Sequence, residues 1–210
     1  MRKGTFIALE GGEGAGKTTI ANALKGTLSP EQFLVTRAGG SPFGEKLRAL
    51  FVSDEAGRTS PESRFALAFA AQADHVAEVV APALKKGIHV ISDRLDASIL
   101  AYQVHGENRL DLAPLFWKTR EVLFQQVLPD LYLFLDVSTE QGFARVKREG
   151  RTLDHFEKRS LNFHERVRKG YTEFFKTVPH VIVDANRPLE AVQADTLSII
   201  QNILKPKTKQ

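Results

Sequence analysis

Gly11-Gly12-Glu13-Gly14-Ala15-Gly16-Lys17-Thr18 is the stretch on which the reading of the fold turns. Its spacing is G-x-x-x-x-G-K-[ST], the pattern of a loop that wraps a phosphate with backbone N–H groups. Glycines supply the dihedrals and the close approach that a Cβ would block. In this pattern Lys17 reaches the β- and γ-phosphates, and the Thr18 hydroxyl ligates Mg2+. The flanks decide the matter. Thr5-Phe6-Ile7-Ala8-Leu9 is short, apolar and partly β-branched, as a buried parallel strand is. Beyond the loop, Ile20, Ala23, Leu24 and Leu28 share one helical face. Strand, glycine loop and helix in that order aim a helix N-terminus at a phosphate. Gly11, Gly12, Glu13, Gly14, Ala15, Gly16, Lys17, Thr18 and Thr19 are therefore the residues expected to hold a nucleoside triphosphate.

Composition narrows the rest. A chain of 210 residues, 42% hydrophobic and 26% charged, suits a single domain over 1–210 with a real core. No apolar run approaches the ~18 residues of a membrane span. Met1-Arg2-Lys3-Gly4 leads straight into the first strand, so no leader is expected. Without cysteine there is no disulfide framework, thiolate metal site or cysteine nucleophile, which suits a cytoplasmic protein. The net charge of +4 is not gathered into a tract with aromatic platforms, so no nucleic-acid partner is expected. Bound nucleotide phosphates call for cations of their own. Residues 205–210 read as a frayed tail.

Further strands are expected at Phe33-Leu34-Val35-Thr36-Arg37, Ile88-His89-Val90-Ile91-Ser92, Leu131-Tyr132-Leu133-Phe134-Leu135-Asp136 and Val181-Ile182-Val183-Asp184. Between them helices are expected over 43–52, with Phe43, Leu47, Leu50 and Phe51 on one side, and over 61–84. The latter starts on Ser60-Pro61 and is bent at Pro82. Others are expected over 96–102, 112–128, 139–149, 156–176 and 189–204. Strands alternating with helices give a parallel sheet covered on both faces. The fold expected is a P-loop NTPase-type three-layer α/β/α sandwich with a five-stranded parallel sheet.

Two further sites stand out. Asp93-Arg94 ends an apolar strand; an acid there is the usual partner of Mg2+ beside such a loop, and Arg94 offers a fork for a phosphate. The segment Arg148-Glu149-Gly150-Arg151 separates two helices with polar residues, the composition of a lid over about 148–156. Its arginines could stabilise charge on a transferring phosphoryl group. Ala15 marks a loop that supplies no arginine of its own.

Over nearly its whole length the chain resembles the thymidylate kinase (dTMP kinase) family. The resemblance rests on Ala8-Leu9-Glu10-Gly11 running through Thr19, Val35-Thr36-Arg37-Ala38-Gly39-Gly40-Ser41, Ile91-Ser92-Asp93-Arg94, Ala101-Tyr102-Gln103, Pro129-Asp130-Leu131, Leu153-Asp154-His155-Phe156-Glu157 and Val183-Asp184-Ala185. It implies phosphorylation of dTMP with ATP and Mg2+. Glu13 would bond the deoxyribose 3′-hydroxyl, Arg94 would hold the acceptor phosphate, and Tyr102 would crowd the sugar's 2′ position. Arg37 and Ser98 join the implied substrate contacts, Thr18 and Asp93 the metal contacts, and Arg148 and Arg151 the lid. The adenine would lie near Asp184 and Ala185. Homodimers are implied, through the helix over 60–84 and the one after Asp93-Arg94.

The chain also departs from the family. Ala38 replaces a glutamate–proline pair, and His155 stands where the lid usually carries arginine. The positions of a base-stacking phenylalanine and a base-bonding arginine fall on Ala68 and Gln72, with Phe69 one residue away, and a further polar reader becomes Ile99. Gln72 can both donate and accept at a thymine edge, and Phe69 is expected to stack if the helix is slightly turned. These changes leave open the same transfer to dUMP or a 5-substituted dUMP. A nucleotide-binding protein without transfer is a second alternative, which Lys17, Thr18, Asp93 and Arg94 speak against. A GTPase would need an N-K-x-D motif that the chain lacks.

Overall fold

The computed structural model describes residues 4–124, 127–150 and 152–204. Five strands form one all-parallel sheet: β1 Phe6–Gly11, β2 Phe33–Arg37, β3 His89–Asp93, β4 Leu131–Asp136 and β5 His180–Asp184, in the order β2-β3-β1-β4-β5. The strand periodicity of two divides the core. Phe6, Ala8, Val90, Tyr132 and Phe134 face one apolar layer, while Ile7, Leu9, Ile91, Leu133 and Leu135 face the other.

The helices are α1 Lys17–Thr27, α2 Pro42–Phe51, α3 Asp54–Gly57, α4 Pro61–His75, α5 Ala81–Lys85, α6 Asp96–Ile99, α7 Ala113–Phe124, α8 Thr139–Arg148, α9 Leu161–Phe175 and α10 Leu189–Leu204. Five of them begin on a serine whose side chain accepts a free N–H of the first turn: Ser41, Ser53, Ser60, Ser138 and Ser160. The Ser60-Pro61 start is as expected. Chain 61–85 is not a plain bent helix, however. A π-helical turn, Val76–Val80, joins α4 to α5 immediately before Pro82 and widens the spiral there. A second π-helical stretch, Leu100–Gly106, extends α6 well past Tyr102.

Three helical expectations are corrected. The segment over 156–176 becomes helical only at Leu161, because Ser160 caps it and residues 155–158 form turns. The helix ending in α7 is described only to Phe124, and Val127 and Leu128 lie outside helical structure. On α2, Phe43 and Leu50 face solvent rather than the core.

Parallel order puts every strand's carboxyl end at one edge of the sheet. The register aligns Leu9 with Asp93 and Arg37 with Asp93. The glycine loop leaves β1 between β3 and β4, so its neighbours at that edge are Asp93, Arg94 and Asp136. This is where open α/β sheets bind ligands.

Candidate active site

A cavity of about 570 Å³ opens at that edge. One end is made by Gly14, Gly16, Lys17, Thr18 and Thr19, the other by Ala68, Ala71, Gln72, Ile99 and Gln103. Glu13, Arg37, Arg48, Asp93, Arg94, Ser98 and Tyr102 line the span between them. One continuous space therefore holds most of the residues that the sequence nominates.

At the loop end, Gly14 and Gly16 have φ of 68° and 85°, the left-handed region that disfavours a Cβ. A Cβ on Gly14 would also stand 2.2 Å from the Gly142 carbonyl oxygen, so α8 packs directly on the loop. Gly16 caps α1 without a side chain, leaving the first-turn N–H groups of α1 free to face an anion. Lys17 Nζ donates to the Gly12 carbonyl at 2.7 Å. Burial and the nearby Arg94 push its ammonium down to about 8, against the pull of Glu13 and Asp93. Thr18 Oγ1 donates to Asp93 Oδ2 at 2.9 Å. The Ala15 side chain is buried, so only its backbone serves the loop.

In the middle of the cavity, Arg94 Nη2 donates to Glu13 Oε1 at 3.0 Å, and Tyr102 Oη donates to the same oxygen at 2.6 Å. Burial would raise the Glu13 carboxyl, but Arg94, Lys17 and Tyr102 bring it down to about 2. Burial likewise presses Tyr102 well above its ordinary value. Arg37 is exposed and gripped by Glu45 through two hydrogen bonds of 3.1 and 2.7 Å. The Ser98 hydroxyl reaches the cavity wall but donates to Glu10 Oε2 at 2.6 Å.

At the far end stand the residues that sequence reading left in dispute. Phe69 is 3% exposed and packs against Phe65, Phe116 and Phe124, turned away from the cavity. The expectation that it stacks on a base is therefore wrong: one residue along a helix is a rotation of ~100°, which sends Phe69 into the core. Ala68 holds the facing position. Gln72 does line the cavity. Its Nε2 donates to the Leu95 carbonyl at 2.8 Å, which fixes which end of the amide is nitrogen, and its buried Oε1 has no partner.

Two residues that the sequence reading did not nominate belong here. Gln103 is a fully buried residue of the cavity wall, and its buried amide nitrogen and amide oxygen have no hydrogen-bond partner. A signal was present, since Gln103 follows Ile99 by four residues on the same helical run. Arg48 of α2 lines the cavity beside Arg37 and Arg94. Burial first, then Arg37, lowers its guanidinium, against Glu45. Three arginines converging on one space make a site for an anion. No spacing in the sequence pointed to Arg48.

The lid segment contributes Glu149, Asp154 and Phe156 to the wall, and Glu157, just beyond that segment, lines it too. Phe156 packs edge-on against Tyr102, and His155 Nε2 lies 2.9 Å from the Phe51 carbonyl oxygen. Arg148 is exposed at the end of α8 and does not line the cavity, and Arg151 lies outside the described residues. Arg145, one turn earlier, donates instead to the Gly14 carbonyl at 3.2 Å. Asp184 ends β5 and Ala185 follows it, one exposed and one buried, away from the cavity wall. The helix after Asp93-Arg94 is enclosed within the chain over nearly its whole length, so it offers no face to a second copy.

Comparison with known proteins agrees with this layout. A family model described as Thymidylate kinase matches residues 9–196. The chain is 38% identical to a thymidylate kinase of Caulobacter vibrioides, over 95% of this chain and 97% of that protein. It is 37% identical to one from Hahella chejuensis, covering 92% and 94%, and 36% identical to one from Leuconostoc citreum, covering 99% of both.

Proposed function

The chain belongs to the thymidylate kinase family, and from that premise we propose how its own residues divide the reaction between them. It is a nucleoside monophosphate kinase that transfers a phosphoryl group from ATP to dTMP, giving ADP and dTDP. The observation that carries the acceptor assignment is a pair of buried amides. Gln72 Oε1 and both polar atoms of Gln103 lack partners on the wall that Arg94 and Lys17 share. Leaving such groups unpaired is costly, and the edge of a pyrimidine base would satisfy them once the buried amides turn to meet it.

In this reading Lys17 and the loop N–H groups hold the ATP phosphates. Arg94, with Arg48 and Arg37 beside it, aligns the acceptor phosphate, and Glu13 takes the sugar's 3′-hydroxyl. Tyr102 occupies the space that a 2′-hydroxyl would need, favouring deoxyribose. Asp184 and Ala185 border the adenine. No covalent intermediate is required, because positioning and charge stabilisation supply the rate. Arg148 and Arg151 would join the site by movement of the lid.

Thr18 and Asp93 offer oxygen donors only, within hydrogen-bond distance of one another, and that donor set suits Mg2+. The ion would neutralise charge on the donor phosphates. No cluster of three metal-ligating side chains occurs among the described residues, and an ion leaning on phosphates and water needs none.

We also propose a homodimer in the cytoplasm. The outer face of α4 shows Ala66 and Ala70, and α7 shows Leu115, Val122 and Leu123, an apolar surface that a second copy would cover. No helix of the described residues is long and apolar enough to cross a membrane.

The direct test is ADP release from MgATP with dTMP, dUMP, dCMP and dGMP as separate acceptors. Release should be fastest with dTMP. Faster release with another acceptor would leave the phosphate assignments intact and remove the base assignment.

A further inference from the structure

Arg94 has φ of 68°, a conformation that a residue with a Cβ disfavours. Something must hold it there. Its own N–H donates to the Leu9 carbonyl at 2.8 Å, and Ser92 Oγ donates to its carbonyl at 2.8 Å. The next residue, Leu95, donates its N–H to Glu10 Oε1 at 2.7 Å. Glu10 is a fully buried carboxylate at the end of β1, outside the cavity wall.

The guanidinium is held by the same group at one remove. Arg94 Nη1 donates to Tyr171 Oη at 2.9 Å, to the Gly11 carbonyl at 3.0 Å and to Ser98 Oγ at 3.1 Å. Tyr171 Oη lies 2.8 Å from Ser98 Oγ, and Ser98 Oγ donates to Glu10 Oε2. A guanidinium can only donate, and an ionised carboxylate can only accept. With Glu10 ionised, Ser98 Oγ donates to it, while Tyr171 Oη accepts from Arg94 and lies within reach of the Gly11 carbonyl at 3.1 Å and Glu10 Oε2 at 3.3 Å, so the two hydroxyls tie Arg94 to Glu10. Tyr171 is fully buried on α9, the helix that follows the lid, so the chain of bonds joins three elements around one arginine.

We propose that Glu10 and Tyr171 are positioning residues for Arg94, fixing the guanidinium in the orientation that receives the acceptor phosphate. The proposal rests on the reading that Arg94 binds that phosphate. Neither residue touches substrate; both act through Arg94. Tyr171→Phe removes one hydroxyl and keeps the ring packed against Phe134 and Phe175. Glu10→Gln keeps the volume and an acceptor for Leu95, but it turns a donor toward Ser98 and reverses that hydroxyl.

The experiment measures kcat and KM for dTMP and for ATP in the parent, Tyr171→Phe, Glu10→Gln, the double variant and Arg94→Ala, with melting temperatures alongside. Each single variant should raise the dTMP KM about tenfold and leave the ATP KM within about twofold. The double variant should cost less than the sum of the two singles, because both act on one hydrogen-bonded network. A parent-like dTMP KM in Tyr171→Phe, or equal rises for both substrates, would overturn the proposal. Should Glu10→Gln fail to fold, Tyr171→Phe decides alone. A selective dTMP loss in Arg94→Ala with a parent-like Tyr171→Phe would refute the positioning role only. No selective loss in Arg94→Ala would refute the phosphate assignment beneath it.

Discussion

The two ends of the cavity are built on different terms. At the phosphate end the functional groups hold one another: Lys17 on Gly12, Thr18 on Asp93, Glu13 between Arg94 and Tyr102. At the base end the wall is Ala68, Ala71 and Ile99, and the polar atoms set into it, Gln72 Oε1 and both ends of the Gln103 amide, bond to nothing. Phosphates carry full charge and tolerate a site that is already braced, because arriving charge strengthens what is there. A neutral base is chosen by what it leaves unpaired when it is wrong, so its readers must be kept free. On the proposed reading, the first end supplies rate and the second supplies choice.

The sharpest way to break that division is Lys17→Ala. It should lower kcat by about a thousandfold with every acceptor while leaving the melting temperature close to the parent's. Unchanged turnover would end the account. The same lysine gives a pH dependence. With its proton leaving at about 8 rather than the usual 10.5, the free enzyme should bind ATP more weakly at pH 9 than at pH 7. A flat profile over that range would mean that Lys17 is not the cation that ATP meets.

Next in size is Arg94→Ala, which should raise the dTMP KM on the order of 100-fold and the ATP KM little. Equal effects would give Arg94 the wrong substrate. Smallest on the reaction is Phe69→Ala. It should leave the dTMP KM unchanged while destabilising the fold by about 3–5 kcal/mol, as the loss of a core aromatic does. A raised dTMP KM with an unchanged melting temperature would return Phe69 to the base site.

The same contrast explains what could be read from the residues alone. All five strands and the glycine loop were legible, because alternation and the end of an apolar run fix both the strand and what it delivers. Asp93 and Arg94 follow from that logic, and so does α10, whose bounds match the expected 189–204. The base end hangs on helix faces, where an error of one residue is a rotation of ~100°. That is why Phe69 was misplaced beside Ala68. The π-helical turns at Val76–Val80 and Leu100–Gly106 shift helical phase without any proline or glycine to announce them at their start. Gln103 sits within the second of these. Arg48 reaches the cavity only because α2 folds back over the loop after β2, a tertiary fact with no local signature.

The measurement closest to the central claim is the ratio of kcat/KM for dTMP over dCMP, taken in the parent, in Arg94→Ala and in the Gln72→Leu/Gln103→Leu pair. Cytosine offers an acceptor where thymine offers its imino N–H, so the ratio reports on the amides rather than on the phosphate. Arg94→Ala should lower both efficiencies and keep the parent's ratio, whereas the glutamine pair should lower the ratio by at least about tenfold. A ratio that falls in Arg94→Ala, or survives the loss of both amides, would contradict the division between the two ends.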